Sequence, residues 1–429
     1  MAAAESAMSD ALASLNAPAS AEALTTNQML TTMLAVSDKV SDLIFSPGRV
    51  PQVELNGALT AVPGLPMLLP DHVRRVANDL MGNNQQALTS MKEKGSADLS
   101  YSLAGGSRFR VNIFSQRGSY AIVMRVIPFS VPTFDQLKLP PQLADICSLI
   151  NGIVLVTGPT GSGKSSTLAA IINKINDEKA WHIVTIEDPI EFLHSHKKCT
   201  IHQRELHSDT PSFSLALRAA LRQAPKVILV GEMRDRETIE IALEAAETGH
   251  LVMSTLHTTD ASKTVERIIG TFPLAEQHAI RMRFSKSFRY IVSQRLLPKK
   301  DKGGRVAAIE ILKSTMRTRE YLEKGEGEGK TLLDAMRDGD LEGMQCFDDV
   351  IEKMIRDEVI EIETGLGYST NPGNLTLSIS DLLESKRAAE SGNGSSSAMW
   401  RSTRSPRSLP RVSRSVRAES NETSSKSGG

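Results

Sequence analysis

The sequence predicts an α/β protein: a mostly parallel sheet covered by helices on both faces, preceded by a small α/β domain. Two observations lead there. After residue 141, the short apolar runs GIVLVTG, WHIVTIED, KVILVGE and HLVMSTLH alternate with helix-like segments. Continuous apolar strands alternating with helices mark a parallel sheet buried on both sides. The first of these runs feeds into GPTGSGKS at 158–165, and the helix-forming run STLAAIINKI follows it. That string fits G-x-x-x-x-G-K-[ST] in the strand-turn-helix context that gives the pattern meaning.

The elements follow in order. Residues 1–24, rich in Ala and Ser, read as a flexible N-terminal arm. From Thr25 a helical pattern begins in MLTTMLAVSDKVSDLIF, with Leu30, Met33 and Leu34 at helical spacing. VPQVELNG reads as a strand entering a turn at Asn56-Gly57. RFRVNIFSQRGSYAIVMRVIP reads as a hairpin, in which Arg108, Arg110 and Asn112 alternate with Phe109, Val111 and Ile113 and Arg117-Gly118-Ser119 supplies the turn. Residues 25–130 therefore form the first domain. Four prolines in the window 128–141 make 131–141 a linker and a hinge between domains. Residues 142–384 form the second domain, mainly helical after 270. The tail 385–429 holds too few large apolar residues to build a core and is expected to be disordered.

Composition excludes several classes. The 429 residues, 40% hydrophobic, suffice for two or three domains. No run approaches a membrane-spanning helix, and the first residues lack the basic start and apolar block of a secretory signal. Cys147, Cys199 and Cys346 are too scattered for a zinc module or a disulfide framework, which favours a reducing, cytoplasmic setting. Fifty basic residues balance fifty acidic ones. The tail carries nine Lys/Arg against three Asp/Glu, so the rest is net acidic. With aromatics at 4%, no nucleic-acid partner is expected.

The phosphate loop explains its residues. Gly158, Gly161 and Gly163 let backbone N–H groups turn toward phosphate oxygens, and the next helix presents its positive end to the same anion. Pro159, Thr160, Ser162 and Ser166 complete the loop. Lys164 is expected on the β- and γ-phosphates of ATP, and Ser165 on Mg²⁺. Downstream, WHIVTIEDPIEF ends in Glu187, Asp188 and Glu191, and KVILVGEMRD ends in Gly231-Glu232. In an open parallel sheet ligands bind beyond the carboxyl ends of the strands, so both clusters face the phosphate loop. Glu232 is expected to polarise the attacking water, with Glu187 supporting the metal. Asp235 and Glu237 read as acids at a helix start. His257, ending HLVMSTLH, falls on the same edge as a γ-phosphate sensor or a relay between subunits.

In order, GPTGSGKS, TIEDPIEF, ILVGEMRD and GHLVMSTLHT resemble the secretion-ATPase superfamily, specifically the type IV pilus retraction ATPases of the PilT/PilU type, over residues 28–350. The resemblance implies a PAS-like N-terminal domain and a RecA-like ATPase domain. It further implies a hexameric ring that hydrolyses ATP to power pilus retraction and twitching, working at the inner face of the cell membrane with an inner-membrane platform protein. Arg110 and Arg125 occupy the strand positions whose arginines approach the phosphates in this family. A guanidinium there acts like an arginine finger. Arg267 is a weaker candidate of that kind. The absence of a longer N-terminal region and of a four-cysteine insertion favours retraction over pilus assembly or secretion. Two strings depart from the family: STMRTREYLEKGEG, with Arg317, Arg319 and Glu320, stands where an AIRN/AIRE motif is usual, and Lys226 replaces an acid. They leave room for an accessory paralogue in a mixed ring.

Overall fold

A computed structural model describes residues 24–384 except 105, 129 and 328. The expected N-terminal arm, apart from residue 24, and the expected disordered tail lie outside the described residues. Among the described residues, backbone contacts gather those up to Leu375 into one unit; a second begins at Thr376.

Two sheets organise the larger unit. The first is antiparallel, with strands β1 (Val40–Phe45), β2 (Gln52–Leu55), β3 (Ala58–Ala61), β4 (Ser96–Ser102), β5 (Arg108–Gln116) and β6 (Ser119–Ile127) in the order β3-β2-β1-β6-β5-β4. This is the PAS-like layer. Helices α1 (Thr26–Leu34), α2 (Pro70–Met81) and α3 (Gln85–Lys94) contribute Met29, Leu30, Val73, Val76 and Ala87 to its core. Both tight turns follow from their residues. Asn56-Gly57 and Arg117-Gly118 all have positive φ, the backbone of the two-residue hairpin turn that matches strand twist. In β5 the alternation holds: Phe109, Val111 and Ile113 are buried, leaving Arg108, Arg110 and Asn112 on the other face.

One expectation fails here. The helical pattern from Thr25 stops at Leu34, and Val40–Phe45 is strand β1. Pairing with both β2 and β6 satisfies its backbone on two sides, and that outweighs a weak helical spacing.

The second sheet has seven strands: β7 (Gly152–Thr157), β8 (His182–Glu187), β9 (Thr200–Glu205), β10 (Val227–Val230), β11 (Leu251–Leu256), β12 (Phe288–Pro298) and β13 (Arg305–Lys313), in the order β13-β12-β7-β11-β10-β8-β9. All pairs are parallel except β12–β13. Every residue of β7, β10 and β11 is buried, which is why they read as unbroken apolar runs. Truncating one of them, Leu155→Ala, is expected to cost about 2–5 kcal/mol. Helices α4 (Lys164–Glu178), α5 (Phe213–Ala220), α6 (Arg236–Glu247) and α7 (Ala261–Gly270) follow β7, β9, β10 and β11, giving the RecA-like arrangement. Asp235 caps α6 by accepting from Thr238 N at 2.8 Å, and Asp260 caps α7 by accepting from Lys263 N at 2.8 Å.

The stretch after 270 is less helical than expected. α8 (Leu274–Ser287) leads into the β12–β13 hairpin, which extends the sheet past β7. The expected linker is partly ordered too: Phe134–Leu137 forms one helical turn capped by Thr133, and Pro141–Ser148 a 3₁₀ segment. Prolines at the start of such segments fix φ without losing a needed donor.

Candidate active site

The carboxyl ends of β7, β8, β10 and β11 share one edge of the sheet, and β11 alone separates the phosphate-loop strand from β10, which leads to Glu232. A cavity of about 660 Å³ lies along this edge.

Its floor is the phosphate loop. Gly158 has φ +144° and lies so close to β12 that a Cβ would stand 2.4 Å from Gln294 O and 2.6 Å from Ser162 Oγ. No other residue fits without moving backbone. Gly163, at φ +92°, starts α4 in the left-handed region, which a residue with a Cβ occupies only at a cost. Thr160, Gly161, Gly163, Lys164, Ser165 and Ser166 line the cavity. Pro159 and Ser162 instead face a second hollow of about 550 Å³, which shares Thr160 and Gly161 and is closed by Arg295, Arg305 and Tyr368. Lys164 Nζ donates to Gly158 O at 2.9 Å and Pro159 O at 3.0 Å. Burial pulls its pKa below the ordinary value, while the charges of Glu232 and Glu191 push it back up.

The acids stand opposite. Glu232 is mostly buried, 17% exposed, and one carboxylate oxygen meets Arg234 Nη2 at 2.6 Å and His257 Nε2 at 3.5 Å. The other ring nitrogen of His257 lies 3.5 Å from Thr160 Oγ1. His257 therefore bridges the phosphate loop and the acid. Glu187 accepts from Thr185 Oγ1 at 2.6 Å and from Gln203 Nε2 at 3.2 Å. It opens into the cavity, yet the protein packed around its carboxyl desolvates it and raises its pKa to about 7 despite those hydrogen bonds.

The two expected arginines part company. Arg110 lines the cavity. Arg125 is its direct cross-strand partner, but its Nε donates to Asp42 at 3.0 Å and it stays 70% exposed. It does not line the cavity. Arg267 sits on an exposed position of α7 and lines neither hollow. Three contributors were not anticipated. Arg234 reaches Glu232 from two residues downstream, a spacing readable in the sequence. Arg305 arrives from the start of β13 and lines both hollows; no local pattern announces it. His194 lines the cavity, and desolvation, then the nearby Lys197 charge, push its pKa down to about 4, so its ring is neutral.

The donor set suits a hard cation. Ser165, Glu187, Asp188, Glu191 and Glu232 offer oxygen to the cavity, and among the described residues no group of three or more His, Cys, Asp or Glu could hold a metal alone. Magnesium at nucleotide sites takes one or two protein oxygens and completes its shell with phosphates and water, so this arrangement fits it. Opposed cations and carboxylates around an anion cradle are the groups that phosphoryl transfer uses.

Comparison with known proteins agrees with that chemistry. A family profile described as type II/IV secretion system protein matches residues 95–363. The type IV pilus retraction ATPase PilT of Pseudomonas aeruginosa is 42% identical over 347 residues, covering 80% of this chain and 99% of the relative. The type IV pilus ATPase PilU of the same organism is 38% identical over 346 residues, covering 81% of this chain and 89% of the relative. The crystal structure of the pilus retraction motor PilT with bound ADP superposes with a TM-score of 0.73 at 40% identity, covering 82% of this chain and 98% of that one.

Proposed function

The chain belongs to the type II/IV secretion system protein family, and within it we propose an ATP-hydrolysing motor that powers type IV pilus retraction. The observation that carries this reading is the match to a retraction ATPase over 99% of that relative's length, in a chain whose phosphate loop, Glu232 and His257 surround one cavity.

ATP enters as the substrate. Its phosphates lie on the amides of the Gly158–Ser165 loop and the positive end of α4. Lys164, whose Nζ donates to two loop carbonyls, turns its charge to the β- and γ-phosphates. Ser165 and Glu187 would hold Mg²⁺, which when bound offsets charge on the phosphates. A raised pKa suits Glu187 to that place, because a bound cation favours the ionised carboxylate that desolvation opposes. Glu232 orients the attacking water. The water oxygen bonds to the γ-phosphorus, the bond from that phosphorus to the β–γ bridging oxygen breaks, and the water's proton passes to the Glu232 carboxylate. ADP and phosphate leave. Arg110, coming from the first sheet, spreads its charge over the oxygens that gain it. His257 touches both the loop and Glu232, so it registers whether the γ-phosphate is present. Because ATP and ADP engage Arg110 and His257 differently, their exchange shifts the two sheets against each other.

Six copies form the ring, alone or mixed with a paralogue, in the cytoplasm against the inner-membrane platform. No described helix is long and apolar enough to cross a membrane. The test is ATP turnover resolved by oligomer size, beside Glu232→Gln. Turnover in a six-subunit fraction, reduced about 10²–10⁴-fold in the variant, is expected. A folded ring without turnover would replace this reading with an accessory subunit.

A further inference from the structure

Arg108 lies two residues before Arg110 on the same face of β5, but it does not point into the cavity. Its Nη2 meets Glu205 Oε2 at 3.0 Å, across from the first sheet to the last residue of β9. Both side chains are largely withdrawn from solvent, 20% and 5% exposed. The same Glu205 oxygen accepts from Ile190 N at 3.1 Å. Ile190 sits between Pro189 and Glu191, both of which line the cavity. Glu205 is also the register partner of Glu187, and Leu206 N donates to Glu187 O at 2.9 Å. Glu205 therefore ties together three parts: its carboxylate holds the hairpin that delivers Arg110 and the 188–191 segment, and the backbone at its strand end pairs with the one that carries Glu187.

We propose that Arg108 and Glu205 form a positioning clasp for the ATP site, setting the reach of Arg110 and the place of the 188–191 segment together. The proposal rests on reading the cavity as an ATP site. A surface ion pair would hold nothing in place. This one is shielded, its acceptor is shared with a backbone N–H, and both ends lead within two or three residues to groups in the cavity. A guanidinium displaced by about 1 Å can cost up to about a hundredfold in rate, so loss of the clasp should act through Arg110.

Three variants and a distance decide it. Arg108→Gln should lower kcat about tenfold or more while KM for ATP stays within about threefold. Arg108→Lys, which keeps the charge, should restore at least about half of the turnover. In an Arg110→Gln background the Arg108→Gln change should add nothing, because the first residue acts through the second. Independently of turnover, spin labels at Glu93→Cys and Ser208→Cys, on exposed positions of α3 and of the loop after β9, should give a narrow distance that broadens with Arg108→Gln or Glu205→Gln. Glu205→Gln retains an acceptor for Ile190 N, which guards against simple unfolding. Turnover of Arg108→Gln within twofold of the parent, losses that multiply with Arg110→Gln, or an unchanged label distance would each overturn the clasp. If the parent chain hydrolyses no ATP, the ATP-site reading fails, and the label distances alone still decide whether the clasp exists.

Discussion

In the seven-stranded sheet most charged groups of the cavity stand at, or shortly beyond, the carboxyl end of a parallel strand. Lys164 follows β7, Glu187 ends β8, Glu232 follows β10 and His257 follows β11. In the six-stranded sheet the charged groups sit within strands. Arg108, Arg110 and Arg125 share one face of the β5–β6 hairpin, yet one clasps Glu205, one lines the cavity and one pairs with Asp42. The parallel strands point their carboxyl ends the same way, so polar residues at those ends can gather at one site. The antiparallel sheet offers a whole face, and which residue on it reaches a distant partner depends on how the two sheets meet. Roles in the seven-stranded sheet follow from topology. Roles in the six-stranded sheet follow from docking.

The sharpest break in this comparison comes from the parallel sheet. Lys164→Ala should abolish ATP turnover while circular dichroism shows an intact fold, since the loop amides alone cannot neutralise the phosphates. Measurable turnover would remove the phosphate-loop assignment. On the antiparallel side, Arg110→Gln and Arg125→Gln should separate. The first should lower turnover by about tenfold or more. The second should leave the chemistry of an isolated chain little changed and instead lower stability by about 1 kcal/mol, because the Asp42 side chain, 9% exposed, loses its guanidinium partner. Equal losses of turnover from both would erase the distinction drawn between these neighbours.

A buried carboxyl sharpens the same contrast through pH. Glu310 on β13 accepts from Ala261 N at 2.8 Å, at the start of α7 just beyond the His257 loop. Desolvation raises its pKa to about 7, against the lowering effects of that bond, of Ser293 and of Arg295. Between the ordinary glutamate value and 7 the folded chain holds a proton that the unfolded chain has released. Stability therefore falls as pH rises through that window and carries the whole cost above it. Glu310→Gln keeps an acceptor for Ala261 N. It should raise stability by about 1–3 kcal/mol at pH 8 and change little at pH 4, read as unfolding midpoints in denaturant. Glu187 has a pKa raised in the same direction, so part of the slope should remain; an unaltered slope would mean that Glu310 is not its source. The smallest effect belongs to a cap. Asp235→Ala should cost about 1 kcal/mol through loss of the Thr238 N–H acceptor, with turnover retained.

Much of this was open to reading from residues alone. A phosphate loop is a local object: its glycines, lysine and serine lie within eight residues and need only the strand before and the helix after. Glu187, Glu232 and His257 were legible because apolar runs mark the strands and the parallel rule aligns their ends. Asp235 was legible as a cap for the same local reason. Strand β1, hidden in a helical spacing, was not, because only pairing with β2 and β6 decides it. Nor were β12 and β13, whose hairpin brings Arg305 to the phosphate loop from more than a hundred residues away.

The division has a physical cause. Features that short-range forces decide are written in contiguous residues: turns that need positive φ, helices that need caps, apolar runs that need burial, and an anion cradle built from neighbouring amides. Only the folded chain settles which of three arginines on one sheet face lines the cavity and which pair with carboxylates. That choice depends on a few ångströms of docking between two sheets, and ion-pair geometry across such an interface leaves no periodic trace in the chain.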